Sequence, residues 1–151
     1  MRLMTLATLF ILTASAAPAF ACRCIDATTA GRYDSSPSVV LVTVVDAREG
    51  EMPWPDKGAS GVVKAYLLKV RVLKSWKGRL HSGDVVNTWT PYYGESCGCS
   101  QVGKGAKIVI FSQHGEQLDV FSCTTSEPGH AINVAKELDS IVRRSASGTH
   151  P

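Results

Sequence analysis

From residue 39 onward, apolar residues in this chain fall into five short runs of strand character followed by one run of helical character. Residues 39–45 are dense in β-branched side chains and predict a first strand. In 62–73, Tyr66, Leu68, Val70 and Val72 share one parity, with Lys64 also on it near the start, and Lys69 and Arg71 take the other. A strand with one core face and one partly wet face is expected there. Residues 84–90 predict a third strand, with Val85, Asn87 and Trp89 alternating against Val86 and Thr88, and Pro91 ending it. The continuous apolar run 108–111 predicts a buried fourth strand, and 118–123 a fifth after a turn at Gly115. Pro128-Gly129 then leads into a helix in which Ile132, Ala135, Leu138, Ile141 and Val142 recur at helical spacing.

The connections are long and polar. Asp26 is placed to N-cap a short helix over 27–30, stopped by Gly31. Residues 48–61 read as a projecting loop with Trp54 between two prolines, 74–78 as a turn, and 94–105 as a glycine-rich connection. Five strands in a small antiparallel unit resolve their edges most economically by curling into a Greek-key barrel of the OB-fold kind. A two-sheet sandwich usually uses about seven. The expected fold is therefore all-β with flanking helices: a five-stranded Greek-key, OB-like barrel plus a C-terminal helix. The expected organisation is a signal peptide over 1–21, one domain over 22–144 and a flexible tail over 145–151.

The signal reading rests on Arg2, the apolar stretch 3–12, Pro18 and the small-residue pair Ala19 and Ala21. It predicts a secreted protein, extracellular or periplasmic, whose mature chain starts at Cys22 with a free α-amine. Cleavage of the lipoprotein type, with acylation of Cys22, is the alternative, but Phe20 is bulky for such a site. The apolar stretch is too short to span a bilayer. A formal net charge of +3 is spread without a basic stripe, so no nucleic-acid partner is expected.

All five cysteines, 22, 24, 97, 99 and 123, follow the expected cleavage site. Export favours an oxidised framework, and an odd count leaves one thiol outside any two internal bridges. Bridges from Cys22 and Cys24 to later cysteines would staple the N-terminal segment to the barrel and stop it fraying. They could equally serve stability alone. A four-cysteine zinc site from Cys22, Cys24, Cys97 and Cys99 has a tighter spacer than zinc knuckles use. Redox chemistry lacks its Cys-x-x-Cys. His81, His114, His130 and His150 stand apart, and Gly103-Lys104-Gly105 lacks phosphate-loop spacing. No enzyme and no cofactor of its own are expected.

Several of these residues carry a resemblance. Cys22-Arg23-Cys24 directly after the cut, Glu95-Ser96-Cys97-Gly98 and Cys123 after the fifth strand run resemble the N-terminal inhibitory domain of the tissue inhibitors of metalloproteinases, the netrin-like module. Residues 66–73 followed by Trp76-Lys77-Gly78 resemble its second strand and lysine-glycine turn, and the likeness covers roughly 22–127. The resemblance implies the barrel fold, bridges Cys22–Cys97 and Cys24–Cys123, and Cys99 unpaired. It implies that the Cys22 α-amine and carbonyl chelate the zinc of a partner metallopeptidase, filling the position its water leaves open. Arg23, Cys24, Glu95 and Ser96 would then contact the partner's cleft, and a monomer is expected. The chain departs from the pattern at Arg23, where animal members usually carry a small or uncharged residue. A third bridge and the prolines after Cys-x-Cys are also absent. The alternatives are a non-inhibitory secreted binding or structural module on the same barrel, and a cysteine-based metal-binding or redox protein.

Overall fold

The computed structural model describes residues 28–53, 61–92, 102–115, 117–118, 120, 124–126 and 128–148. Four antiparallel strands, β1 (Ser38–Pro53), β2 (Val62–Lys77), β3 (Val85–Pro91) and β4 (Lys107–Ser112), form one sheet in the order β3-β2-β1-β4. A short helix α1 (Thr29–Ser35) precedes them, and a helix α2 (Ala131–Ala146) follows, entered through a single 3-10 turn, Pro128–His130. The mostly-β expectation with a C-terminal helix therefore holds in outline: the sheet is a curled half-barrel.

Its curl has identifiable causes. Along the β1–β2 ladder the register skips Trp76 and Leu73 on β2 and Val45 on β1. Each extra residue bends its strand and increases the local twist. The skip at Val45 also inverts parity on β1. Before it, the even residues Val40, Val42 and Val44 enter the inner core; after it, Ala47 is the residue that packs there.

Two cores result. The inner one joins Val40, Val42, Val44, Leu68, Val70, Val72, Ile108 and Ile110 with Val102, Leu118 and Val120. The outer one sets Val39, Leu41, Val109 and Phe111 against Ala131, Leu138 and Ile141 of α2. Ala30 and Tyr33 of α1 pack at its margin. β4 feeds both cores from alternate residues, which is why its apolar run is unbroken. On β2, Leu68, Val70 and Val72 are buried and Lys69 and Arg71 exposed, as their parity predicts.

Four local expectations are corrected. The loop expected from residue 48 begins later: β1 and β2 are paired from Val39↔Lys77 out to Pro53↔Val62, so 48–53 is strand. The turn expected over 74–78 is strand as far as Lys77. Gly78, at φ 103°, then turns the chain where an added Cβ would sit 2.7 Å from Ser38 Oγ. The first helix is capped by Thr28, whose Oγ1 accepts from the Gly31 N–H at 3.1 Å. It runs through Gly31 to Ser35 instead of stopping there. On α2, Ile132 is 47% exposed and Ala131 takes the buried place at the helix start.

Of the expected fifth strand, Leu118 and Val120 are described, and both are buried in the inner core. Thr88 Oγ1 of β3 donates to the Leu118 carbonyl at 2.6 Å. On the other side, Phe111 N–H donates to the Thr124 carbonyl at 2.7 Å, Ile110 bridges Thr125, and Ser126 N–H donates to the Val109 carbonyl at 2.9 Å. Leu118 thus touches β3, and Thr124, Thr125 and Ser126 touch β4, the two outer strands of the sheet.

Candidate functional site

The residues expected to act, Cys22, Arg23, Cys24, Glu95 and Ser96, lie outside the described residues, as do Cys97, Cys99, Cys123 and Trp54. Their described neighbours are placed. Thr28 and α1 follow Cys24, Thr124 follows Cys123, and Tyr92 and Val102 bracket the segment with Cys97 and Cys99. The Tyr92 ring stacks on Tyr66 of β2 with centroids 4.5 Å apart, and the Tyr92 N–H donates to the Lys64 carbonyl at 3.2 Å.

α1 is short, and seven residues of helix do not persist in water alone. Polar contacts to three other elements hold it. Thr29 Oγ1 donates to Glu137 Oε2 of α2 at 2.7 Å. Lys77 Nζ donates to the Tyr33 and Asp34 carbonyls at 3.0 and 3.1 Å, and lies 5.3 Å from the Tyr33 ring centroid. An ammonium at a helix C-terminus meets both the orphan carbonyls and the negative end of the dipole. Arg32 lies over the Phe111 ring of β4 at 5.8 Å, and Gln113 Nε2 donates to Ser36 Oγ at 3.1 Å.

α2 is tied to β2 by one carboxylate. Asp139 Oδ1 accepts from Lys74 Nζ and from Trp76 Nε1, each at 2.6 Å. These two hydrogen bonds, Lys74 foremost, hold the Asp139 carboxyl below its ordinary range, with Coulombic help from Lys74 and Arg143 and opposition from burial. A depressed folded-state pKa contributes stability above the unfolded carboxylate value, about 3.9, and loses it as pH falls through the folded value. Asp139→Asn is therefore expected to be less stable than the natural protein at neutral pH. That difference should shrink once pH drops below about 3.9, as read by urea denaturation across pH. The side chain is 39% exposed, so solvent screening keeps the effect modest.

No family model and no curated protein matches this chain.

The chemistry of the described surface stands on its own geometry. Among the described residues no group of three or more histidine, cysteine or acidic side chains is placed to hold a metal ion, and no helix is long and apolar enough to cross a membrane. A cleft of about 480 Å³ lies on the β1–β2–β3 face, lined among others by Asp46, Arg48, Leu67, Lys69, Asn87 and Trp89. Sequence reasoning missed these residues as a set, and missed the Lys77 clamp on α1. Both depend on cross-strand register set by bulges, which leaves no periodic signal in the chain.

Proposed function

We propose that this chain is an exported inhibitor of zinc metallopeptidases built on a five-stranded Greek-key barrel, with residues 117–126 closing the sheet between β4 and β3. In this reading the mature chain begins at Cys22, bridges Cys22–Cys97 and Cys24–Cys123 hold its first turn, and Cys99 stays unpaired. The Cys22 α-amine and carbonyl ligate the partner's zinc, and Arg23, Glu95 and Ser96 line its cleft. An arginine is costly in an apolar pocket, so the partner pocket that receives Arg23 is acidic.

The observation that carries the reading is a convergence on Phe111. Arg32 of α1, eight residues past Cys24, stacks over its ring, and Thr124, next after Cys123, accepts its N–H. Thr28 lies four residues on from Cys24, a span of at most about 14 Å. A bridge between Cys24 and Cys123 is thus compatible with where α1 and Thr124 sit. Stapling of that kind lowers the ordering cost of binding, one source of affinity in a rigid inhibitor.

The test is a titration of the mature protein against a panel of zinc peptidases, repeated with one alanine added before Cys22. The addition moves the amine off Cys22 and destroys the five-membered chelate. Inhibition by the natural start and a loss of about a hundredfold or more on extension, roughly 2.7 kcal/mol, is the expected result. Equal inhibition by the two forms would reject zinc chelation.

A further inference from the structure

The parity inversion at Val45 has a consequence on the face of the sheet opposite the inner core. Past the bulge, β1 turns Asp46 and Arg48 outward, and the register aligns them with neighbours on two more strands. Asp46 pairs with Lys69 and Lys69 with Asn87; Arg48 pairs with Leu67 and Leu67 with Trp89. These two adjacent rows of three side chains line the cleft of about 480 Å³.

The next row is Gly50, Ala65 and Pro91, all small. Glycine inside a strand is unfavourable and often marks a close approach. Here a Cβ on Gly50 would lie 2.8 Å from Leu67 Cδ1. The glycine leaves room for the Leu67 side chain, which itself lines the cleft. An alanine at 50 would force Leu67, a lining residue, to shift.

The lining is mixed in a specific way. It offers one carboxylate, one carboxamide, one guanidinium and one ammonium beside an indole and a leucine. Among the described residues, no side-chain hydrogen bond or ion pair engages Asp46, Arg48, Lys69 or Asn87, whose backbones are held in the ladder. An anionic ligand would meet the Asp46 carboxylate, and a cationic one Arg48 and Lys69. An apolar ligand would strip water from all four polar groups without replacing its hydrogen bonds. A sugar ring fits all of them. Its C–H face covers the indole, and its hydroxyls, both donors and acceptors, meet the carboxylate and carboxamide on one row and the guanidinium on the other. The cleft also falls within the volume range of small-molecule sites. We propose that this cleft binds a short uncharged oligosaccharide, independently of anything the chain's N-terminus does.

The experiment is an amide-shift titration of the isotope-labelled mature protein with maltotriose, cellotriose and the trimer of N-acetylglucosamine. An uncharged tetrapeptide and a sulfated disaccharide serve as comparison ligands. At least one trisaccharide is expected to give saturable shifts centred on residues 46–48, 67–69 and 87–89. Asn87→Ala and Asp46→Asn, at exposed side chains that make no hydrogen bond among the described residues, should each weaken it by about tenfold. Gly50→Ala should weaken it at least as much. Saturable binding by none of the three trisaccharides would overturn the proposal. So would binding that survives unchanged in Asn87→Ala and Asp46→Asn, or binding of the peptide or the sulfated sugar in preference to all three.

Discussion

Ile110→Ala is expected to destabilise the protein by about 3–4 kcal/mol, read as a lower urea midpoint at unchanged slope. Ile110 is fully buried in the inner core. It pairs with Val40 of β1 on one side and bridges Thr125 on the other, so it sits where the sheet meets the 117–126 segment. Truncation removes three carbons from a fully buried site between β1 and Thr125. The companion measurement is Ile132→Ala on α2, where the side chain is 47% exposed. That change should cost under about 0.5 kcal/mol. Similar losses at the two positions would contradict the placing of Ile110 in the core and Ile132 on the surface.

Gly78→Ala is the second large effect, expected at about 3 kcal/mol. Two causes add. The backbone φ of 103° is one that side-chain-bearing residues rarely adopt. The new Cβ would also lie 2.7 Å from Ser38 Oγ, 2.9 Å from Ser38 Cβ and 3.2 Å from Ser38 Cα. Ser38 is buried at the start of β1, so its side chain has little free space to give way into. Gly83 separates the causes, with a similar φ of 99° and nothing within 4 Å of an added Cβ. Gly83→Ala should cost only the conformational part, about 1–2 kcal/mol. Equal effects at 78 and 83 would mean that the crowding against Ser38 is relieved at little cost.

The contrast between β2 and β1 marks what patterning could reach. On β2 from Leu68 to Val72 the face toward the core is apolar and the other charged, so parity alone predicts which side chains are buried. The continuous run of β4 was equally readable, because both of its faces are covered. The outer half of β1 was not. Residues 46–53 place Asp, Arg, Gly and Met on one face and Ala, Glu, Glu and Pro on the other, so neither face carries an apolar signal. Their strand conformation is imposed by pairing with β2, and the bulge at Val45 hides even the phase. The first helix was misplaced for a local reason. Asp26 and Thr28 are both acceptable caps, and Gly31, read as a stop, is tolerated inside a helix held from outside by Glu137, Lys77 and Phe111.

The candidate sites divide the same way. The five cysteines at 22, 24, 97, 99 and 123 are a pattern of residue type and position that is legible in the chain, and their pairing belongs to the proposal. The clamp by Lys77 and the two rows across β1, β2 and β3 exist only once strand register is set. Residues 46, 69 and 87 are far apart in sequence and have no common motif. Their juxtaposition follows from one extra residue on β1.

The central claim is a chain end that begins at Cys22 with a free amine and is pinned by two bridges. Intact-mass analysis of the exported protein, alkylated before and after reduction, tests it in one measurement. The account predicts a mass starting at Cys22 without lipid, one alkyl group before reduction and five after. An acylated Cys22, or five alkyl groups taken up before reduction, would contradict it.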